Sequence, residues 1–237
     1  MTTTAVKERP ILMCGDMVRA TLAGDKTHTR RAVKMGQIHF VGTGGKDGPE
    51  WNDPRCWGFE DEHGDWALLR ATEPSEYQIP CPFGCVGERL WVRENWQQVE
   101  QDGATVKPRT ELRPSRQGVC YQADGNKCPI TYGQVPLKWR PSIHMPRWAS
   151  RINLEITAVR AERLQEIDAL DALAEGVEGT HVITGTLKES GGRERTGEFI
   201  EGCPRDGYAQ LWDQINGPGA WDLNPWVWVV EFKRIAL

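Results

Sequence analysis

Residues 151–160 (R-I-N-L-E-I-T-A-V-R) alternate between polar and apolar side chains, and this pattern constrains the fold more than any other in the chain. Such alternation predicts a β-strand with one buried face. The next patterned segment, residues 168–175, starts at an aspartate that can cap a helix. It stops at Gly176, which can adopt the left-handed conformation that ends one. A strand followed by a short helix in this way favours an α+β fold.

The other helices and strands are predicted from the same two periodicities. Helices are expected at residues 16–24 and 205–215, the first of them ending at Gly24. Strands are expected at residues 10–13, 66–70, 88–96, 119–123 and from Pro225 onward. We interpret the whole chain, residues 1–237, as a single α+β domain.

Three segments rich in glycine, proline or charged residues interrupt this pattern, at residues 36–66, 97–118 and 178–203. The first is predicted to be a hairpin-like insertion, because it lacks the apolar residues for a core of its own. The second is broken by Pro108 and Pro114 and is predicted to be a mobile loop. The third is predicted to be a disordered or lid-like loop.

The composition is typical of a globular protein without a membrane segment. Hydrophobic residues make up 39% and charged residues 26% of the 237 residues, which are ordinary proportions. No apolar run approaches the ~20 residues that span a bilayer. The N-terminal segment also lacks the apolar stretch of a secretory signal. We therefore expect a cytoplasmic protein.

Seven cysteines bear on the redox state of the protein and on metal binding. They are Cys14, Cys56, Cys81, Cys85, Cys120, Cys128 and Cys203. An odd number in a cytoplasmic chain argues against a disulfide framework. Cys81 and Cys85 could supply two zinc ligands, with Cys120 and Cys128 as a second pair. Free cysteines are commonly small apolar residues instead, and we expect reduced thiols, no metal and no cofactor.

The formal net charge of −4 is distributed unevenly along the chain. Residues 1–40 and 101–160 are basic, whereas residues 41–100 and 161–237 are acidic. Two basic blocks could converge into one positive face, which phosphate recognition requires. The alternative is that each block is only a solvated face of the protein.

Residues 22–31 (L-A-G-D-K-T-H-T-R-R) concentrate reactive side chains in a short polar turn. After the predicted helix ends at Gly24, residues 26–31 supply one amine, two hydroxyls, one imidazole and two guanidiniums. Spacing alone leaves two interpretations open, a solvated basic turn or a functional site.

This turn contains the pattern G-x-K-T-x-T-x-R, which resembles the signature of ASCH domains, members of the PUA-like β-barrel superfamily. Three further stretches resemble this family in the same order: residues 87–94, 172–176 and 226–232. The resemblance implies an α+β fold built as a PUA-like mixed β-barrel with flanking helices and long loop insertions. A longer pattern that includes residues 139–151 is similar to ASCH proteins encoded by phages and prophages.

Some ASCH proteins are amidohydrolases that remove the acyl group from N4-acetylcytidine. By motif position, the resemblance implies that Lys26 is the proton acceptor, Thr29 the nucleophile and Glu175 the proton donor. These roles are chemically coherent, because a threonine hydroxyl needs a base and an amine leaves more easily once it is protonated. Arg30 or Arg31 is expected to stabilise an oxyanion or hold a phosphate. The alternative is that Glu175 and Lys26 form only a structural ion pair.

Residues 138–151 interleave aromatic and basic side chains on a segment that Pro141 and Pro146 prevent from being a continuous helix. Such a composition suits base stacking combined with phosphate contact. The candidate substrate-binding residues of this segment are Trp139, Arg140, His144 and Arg147. The alternative is that Trp139 and Trp148 plug a barrel while the arginines cover it.

Together these observations predict an amidohydrolase that acts on N4-acylated cytosine, as a modified nucleoside or within a nucleic acid. The first alternative is a non-catalytic module that binds RNA, DNA or a modified base, since a fold does not determine a function. A phage-encoded inhibitor of a host protein is the second alternative, with exposed tryptophans as its interface. Neither a membrane nor a cofactor is expected as a partner.

Overall fold

The computed structural model confirms the predicted mixed α+β class. It describes residues 6–34, 38–43, 45–46, 48–72, 76–102, 105–109, 111–125, 138–177, 181–188, 194–201 and 204–236. Within these ranges the chain forms three α-helices and fourteen β-strands, joined by short 3-10 helices. Every helix in the described ranges is too short or too polar to cross a lipid bilayer.

All three predicted helices are confirmed, and their ends follow from local signals. They are α1 (Gly15–Ala23), α2 (Ala169–Ala174) and α3 (Pro204–Asn216). Helix α1 ends because Gly24 adopts a left-handed φ of 97°, which costs a glycine little. Helix α2 begins where the Asp168 side chain accepts a hydrogen bond from the Asp171 backbone N–H, as its sequence predicts.

The strands are short, and most of the predicted ones are confirmed. Those before residue 90 are β1 (Glu8–Leu12), β2 (His28–Ala32), β3 (His39–Phe40), β4 (Trp57–Glu60), β5 (Trp66–Leu68), β6 (Tyr77–Gln78) and β7 (Arg89–Arg93). The later ones are β8 (Trp96–Asp102), β9 (Thr105–Pro108), β10 (Val119–Tyr121), β11 (Asn153–Arg163), β12 (His181–Lys188), β13 (Glu194–Glu201) and β14 (Trp226–Ile235).

The chain forms two compact units, each assembled from separate segments. Unit 1 contains the chain up to Thr27, Pro80–Val159, and the chain from Val230 onward. Its main sheet has the order β1-β7-β11-β14, in which β1 pairs in parallel with β7 and β7 pairs antiparallel with β11. A second sheet has the order β10-β8-β9. A cluster of buried side chains packs beside it: Trp96, Val119, Tyr121, Met145 and Ala149.

Unit 2 contains His28–Ile79 and Arg160–Val229. Its part of the main sheet has the order β11-β14-β2, and a separate sheet has the order β3-β4-β5-β6. Its core lies where α2 and α3 pack with β14. The buried side chains of this core are Leu164, Ile167, Ala172, Tyr208, Trp212, Val227 and Val229.

Two of the three predicted insertions were interpreted wrongly. The segment at 97–118 is not a mobile loop, since β8 pairs antiparallel with β9 and with β10. The described part of 178–203 is not a disordered loop, since β12 pairs antiparallel with β13 along eight residues. The valine, isoleucine and threonines of β12 favour a strand despite Gly185 within it. The hairpin-like interpretation of residues 36–66 is confirmed by β4 and β5.

Two finer predictions about the architecture stay predictions. The described strands form four sheets of five, three, two and four strands, and this arrangement supports the mixed class without establishing a PUA-like barrel. The interpretation of residues 1–237 as a single domain also stays a prediction, because the two units each combine distant segments of the chain.

Candidate functional site

The centre of the candidate site is a buried cluster of charges in unit 2, organised around Arg30 of β2. The Arg30 guanidinium has no exposed surface and contacts three carboxylates. Its Nη2 and Nε donate to Glu162 Oε1 at 2.6 and 3.0 Å, and its Nη1 donates to Glu175 Oε1 at 3.2 Å. A fourth hydrogen bond joins Arg30 to Asp171. The contacts of Arg30 in the described structure are therefore those of a structural hub.

Helix α2 and strand β11 bring the carboxylates to Arg30. Asp171 lies in the first turn of α2, and Glu175 caps its C-terminus. Glu162 lies near the end of β11. Arg160 of the same strand adds a second guanidinium, which donates to Glu162 at 2.8 Å and to Asp171 at 2.6 Å. Two guanidiniums thus face three carboxylates.

The charges of this cluster stabilise one another against the cost of burial. Burial disfavours the charged guanidinium of Arg30, but Glu175 and Glu162 outweigh that effect and raise its pKa. Burial also disfavours the carboxylate of Asp171, but the hydrogen bond from Arg30 and the charges of Arg30 and Arg160 together outweigh it, so that the pKa of Asp171 is lowered. Arg30 and Asp171 are consequently both charged at neutral pH.

Tyr208 of α3 reaches the same cluster, although it is not among the site residues predicted from the sequence. Its side chain is buried against Trp212 and Trp221. Burial raises the pKa of the Tyr208 phenol well above its ordinary value, and the nearby Glu175 carboxylate, which accepts its hydrogen bond, raises it further. A tyrosine rather than a phenylalanine at a buried helix position is the signal that could have identified it, because a buried hydroxyl usually has a partner.

Thr29 is the residue of this region with an unused polar group. Its side chain is completely buried, and its Oγ1 has no hydrogen-bond partner among the described residues. Thr29 directly precedes Arg30 on β2, and successive side chains of a strand leave it on opposite faces. A buried hydroxyl without a partner costs about 1–3 kcal/mol, so this position is not optimised for stability.

Lys26 and Arg31 belong to the segment that was predicted to be a polar turn, and this prediction is wrong for its second half, because His28–Ala32 form strand β2. Lys26 belongs to unit 1 and has only 2% of its surface exposed. Its backbone N–H donates to the Ala20 carbonyl at 3.2 Å, which continues the turn that ends α1. Arg31 lies on β2 in unit 2 and is half-buried. The catalytic role of Lys26 and the binding role of Arg31 stay predictions.

The basic segment at 138–151 belongs to unit 1, and several of its side chains are held by other groups of that unit. Arg140 donates from Nε to Gln97 Oε1 at 3.1 Å. Arg147 donates to both carboxylate oxygens of Glu8, at 2.8 and 3.2 Å. Trp139 is half-buried, and His144 is exposed. The binding roles predicted for these four residues are not tested by these contacts and stay predictions.

One feature of unit 1 was missed by sequence reasoning. Trp91 on β7 is half-buried, and two guanidiniums lie over its ring, that of Arg93 at 5.3 Å and that of Arg147 at 5.8 Å from the ring centroid. Because Trp91 and Arg147 are 56 positions apart in the chain, no local pattern links them.

The described residues offer no group of three histidine, cysteine or acidic side chains arranged to hold a metal ion. Cys14, Cys56, Cys81, Cys85 and Cys120 are free thiols. Cys128 and Cys203 lie outside the described residues, so the alternative of a zinc site that includes Cys128 is not tested.

Comparisons of the chain with protein-family models, with curated proteins and with solved structures find no match.

Proposed function

We propose that this protein hydrolyses the N4-acyl amide of a modified cytosine, with Thr29 as the nucleophile and Glu175 in the same compact unit. The observation that carries the proposal is the Thr29 hydroxyl, which is fully buried and makes no hydrogen bond within the described structure. A hydroxyl in that state costs stability, and serving as a nucleophile gives a reason for its presence. The proposal includes the relation to ASCH proteins and their PUA-like barrel.

The reaction requires a series of proton transfers and a covalent intermediate. Lys26 accepts the proton of Thr29, and Thr29 Oγ1 attacks the acyl carbon to form a tetrahedral oxyanion. Collapse of this intermediate breaks the bond between the acyl carbon and N4, and Glu175 gives N4 a proton so that it leaves as an amine. Water then attacks the acyl-threonine ester, which releases the carboxylic acid and returns the proton to Thr29.

The contacts of Glu175 restrict how it obtains its proton. Arg30 and Tyr208 both hydrogen-bond its carboxylate. In this proposal, the proton that Glu175 delivers is therefore the one that Lys26 removed from Thr29. We assign the stabilisation of the oxyanion to Arg31, because the hydrogen-bond donors of Arg30 are directed at carboxylates.

The experiment is incubation of the purified full chain with N4-acetylcytidine, followed by chromatographic separation of cytidine. We expect turnover by the wild type and a loss of about 10²–10⁴-fold in kcat for Glu175→Gln, because the amide cannot donate an acidic proton. Glu111→Gln is the matched control, since Glu111 is exposed. Absence of cytidine from several N4-acyl cytidines with the wild type would refute the proposal.

The Trp91 platform of unit 1 favours a second function, the binding of a nucleic acid without catalysis. A half-buried aromatic ring flanked by Arg93 and Arg147 offers a stacking surface next to two cations. Base stacking beside phosphate contacts is a common mode of single-strand recognition. The excess of basic over acidic residues in the segment 101–160 agrees with such a role.

Titration of a labelled single-stranded oligonucleotide by fluorescence anisotropy distinguishes this function. We expect the logarithm of the affinity to fall linearly with the logarithm of the salt concentration. The variant Arg147→Gln should reduce the slope by about one and weaken binding about equally for all sequences. Arg113→Gln, an exposed arginine of the same unit, serves as the control. Binding that does not respond to salt would exclude phosphate contacts.

A further inference from the structure

A polar cleft in unit 2 lies among residues that the proposed function does not use. It has a volume of about 520 Å³, which is within the range of small-molecule sites. Its lining comes from the 3-10 helices Pro49–Asn52 and Pro54–Cys56 together with Arg70 and Thr72. The cleft is thus built from one continuous stretch of the chain.

The backbone around this cleft is fixed by hydrogen bonds. The Arg70 N–H donates to the Pro54 carbonyl at 3.2 Å, and the Leu69 N–H donates to the Trp57 carbonyl at 2.9 Å. Pro49 and Pro54 each begin a 3-10 helix with a preset φ angle. A ligand would consequently meet a preformed site, which lowers the entropic cost of binding.

The charges that line the cleft do not cancel. Asp53 is bonded to Arg55, whose Nε lies 3.0 and 2.9 Å from its two carboxylate oxygens. Arg55 lowers the pKa of Asp53, and Arg70 is close enough to lower it further. The guanidinium of Arg70 is exposed and has no hydrogen bond or ion pair among the described residues. One positive charge of the cleft is therefore available for a ligand.

A second guanidinium, that of Arg163, contacts the backbone of the helix that lines the cleft. Arg163 is buried, and its Nη2 donates to the carbonyl of Trp51, within the helix that lines the cleft, at 3.0 Å. Its guanidinium lies 4.7 Å from the ring centroid of Trp57 and 4.6 Å from that of Trp226. Within the described residues it forms no ion pair, and its Nε has no partner. Burial lowers the pKa of Arg163, and the nearby Glu166 carboxylate offsets part of that effect.

We propose that this cleft binds the phosphate group of a small phosphorylated molecule, with Arg70 as its principal donor and Arg55 as a second one. Guanidiniums match the geometry and charge of phosphate oxygens. Asn52, which is exposed at the rim, offers an amide to the rest of the ligand. A dianion gains more than a monoanion from the two guanidiniums that line the cleft, so phosphate is favoured over carboxylate. This proposal does not depend on the proposed hydrolase activity.

The test is calorimetric titration of the full chain with inorganic phosphate at low ionic strength. We expect saturable binding with a Kd of about 1 mM, as for a fragment of a larger ligand. Arg70→Gln should weaken binding about tenfold, because it removes a charged hydrogen-bond donor. Asp53→Asn should tighten binding about threefold, because it removes a negative charge and releases Arg55. Arg113→Gln controls for the loss of one surface charge elsewhere.

Opposite effects of the Arg70 and Asp53 substitutions would support the phosphate site. No saturable binding by the wild type, or equal binding by wild type and Arg70→Gln, would overturn it. Weaker binding by Asp53→Asn would also overturn it, as would acetate binding as tightly as phosphate. Circular dichroism of each variant confirms that the fold is retained, which is expected because the replaced side chains are at the surface.

Discussion

Replacement of Thr29 by valine is expected to abolish turnover of an N4-acyl cytidine while leaving the protein at least as stable as the wild type. Valine has nearly the shape of threonine but no hydroxyl. Since Thr29 Oγ1 is buried and makes no hydrogen bond in the described structure, the substitution removes a desolvated polar group and breaks no contact. We expect the free energy of unfolding to stay constant or to rise by about 1 kcal/mol.

The same substitution removes the proposed nucleophile. We expect kcat to fall by about 10³-fold or more, as is usual when a nucleophile is deleted. Thr29→Ser keeps a hydroxyl and is expected to retain most of the turnover. Steady-state kinetics and urea denaturation, measured on the same three proteins, check both expectations together.

The turnover and the stability of Thr29→Val, taken together, distinguish a nucleophilic threonine from one with only a structural role. If Thr29 had only a packing role, valine would leave any turnover unchanged. If its hydroxyl made a structural hydrogen bond, valine would lower the free energy of unfolding. Either outcome would remove the main argument for Thr29 as the nucleophile.

Replacement of Arg30 by methionine is expected to be the most destabilising single change in unit 2. Methionine fills much of the same volume but leaves Glu162, Asp171 and Glu175 without their shared guanidinium. Breaking a buried ion pair by removing one partner costs about 3–5 kcal/mol, and Arg30 contacts three carboxylates with no exposed surface. Urea denaturation at neutral pH measures the loss in the free energy of unfolding. The variant Arg30→Lys keeps the charge, and its free energy of unfolding should lie between those of the wild type and Arg30→Met.

The effect of Arg30→Met should depend on pH. In the wild type the folded-state pKa of Asp171 is lowered below its ordinary value of 3.8. The stability that this carboxylate contributes is therefore present above pH 3.8 and is lost as the pH falls through the lowered pKa. In the variant Asp171 loses the hydrogen bond and the charge of Arg30, so the part of this stability that depends on Arg30 is absent. The difference between the two proteins is expected to narrow in acid.

Arg147→Met provides the matched control for this comparison. Arg147 also pairs with a carboxylate, Glu8, but both side chains are about one-third exposed. Exposed ion pairs contribute little, so this variant is expected to unfold close to the wild-type denaturant concentration. If Arg30→Met and Arg147→Met lost equal free energy of unfolding, burial of the Arg30 cluster would not be the reason that it stabilises the protein.

Local signals in the sequence were sufficient to predict where the helices lie. Gly24 and Asp168 act within one turn of the helix that each delimits, so their effects are readable from neighbouring residues. The strands β12 and β13 were missed because pairing depends on a partner segment. Glycines and charges around residue 190 suggested a loop although each strand has adequate β-propensity.

The candidate site was predictable in part. The buried threonine and glutamate were identified through their motifs, whereas the Arg30 cluster was not. Arg30 is separated from Glu162 by 132 positions and from Glu175 by 145 positions, and such pairs are brought together only by the topology. The same reason explains why Arg163, Trp51 and Trp226 could not be connected in advance.

The interleaving of the two units along the chain has a consequence for how the polypeptide acquires its structure. Strands β11 and β14 both pass from one unit to the other. Neither unit therefore corresponds to a continuous piece that could be produced separately, and a cut between residues 80 and 159 divides both. Closing contacts across such long separations is entropically costly and slow. Synthesis of all of β14 is thus required before the main sheet is complete.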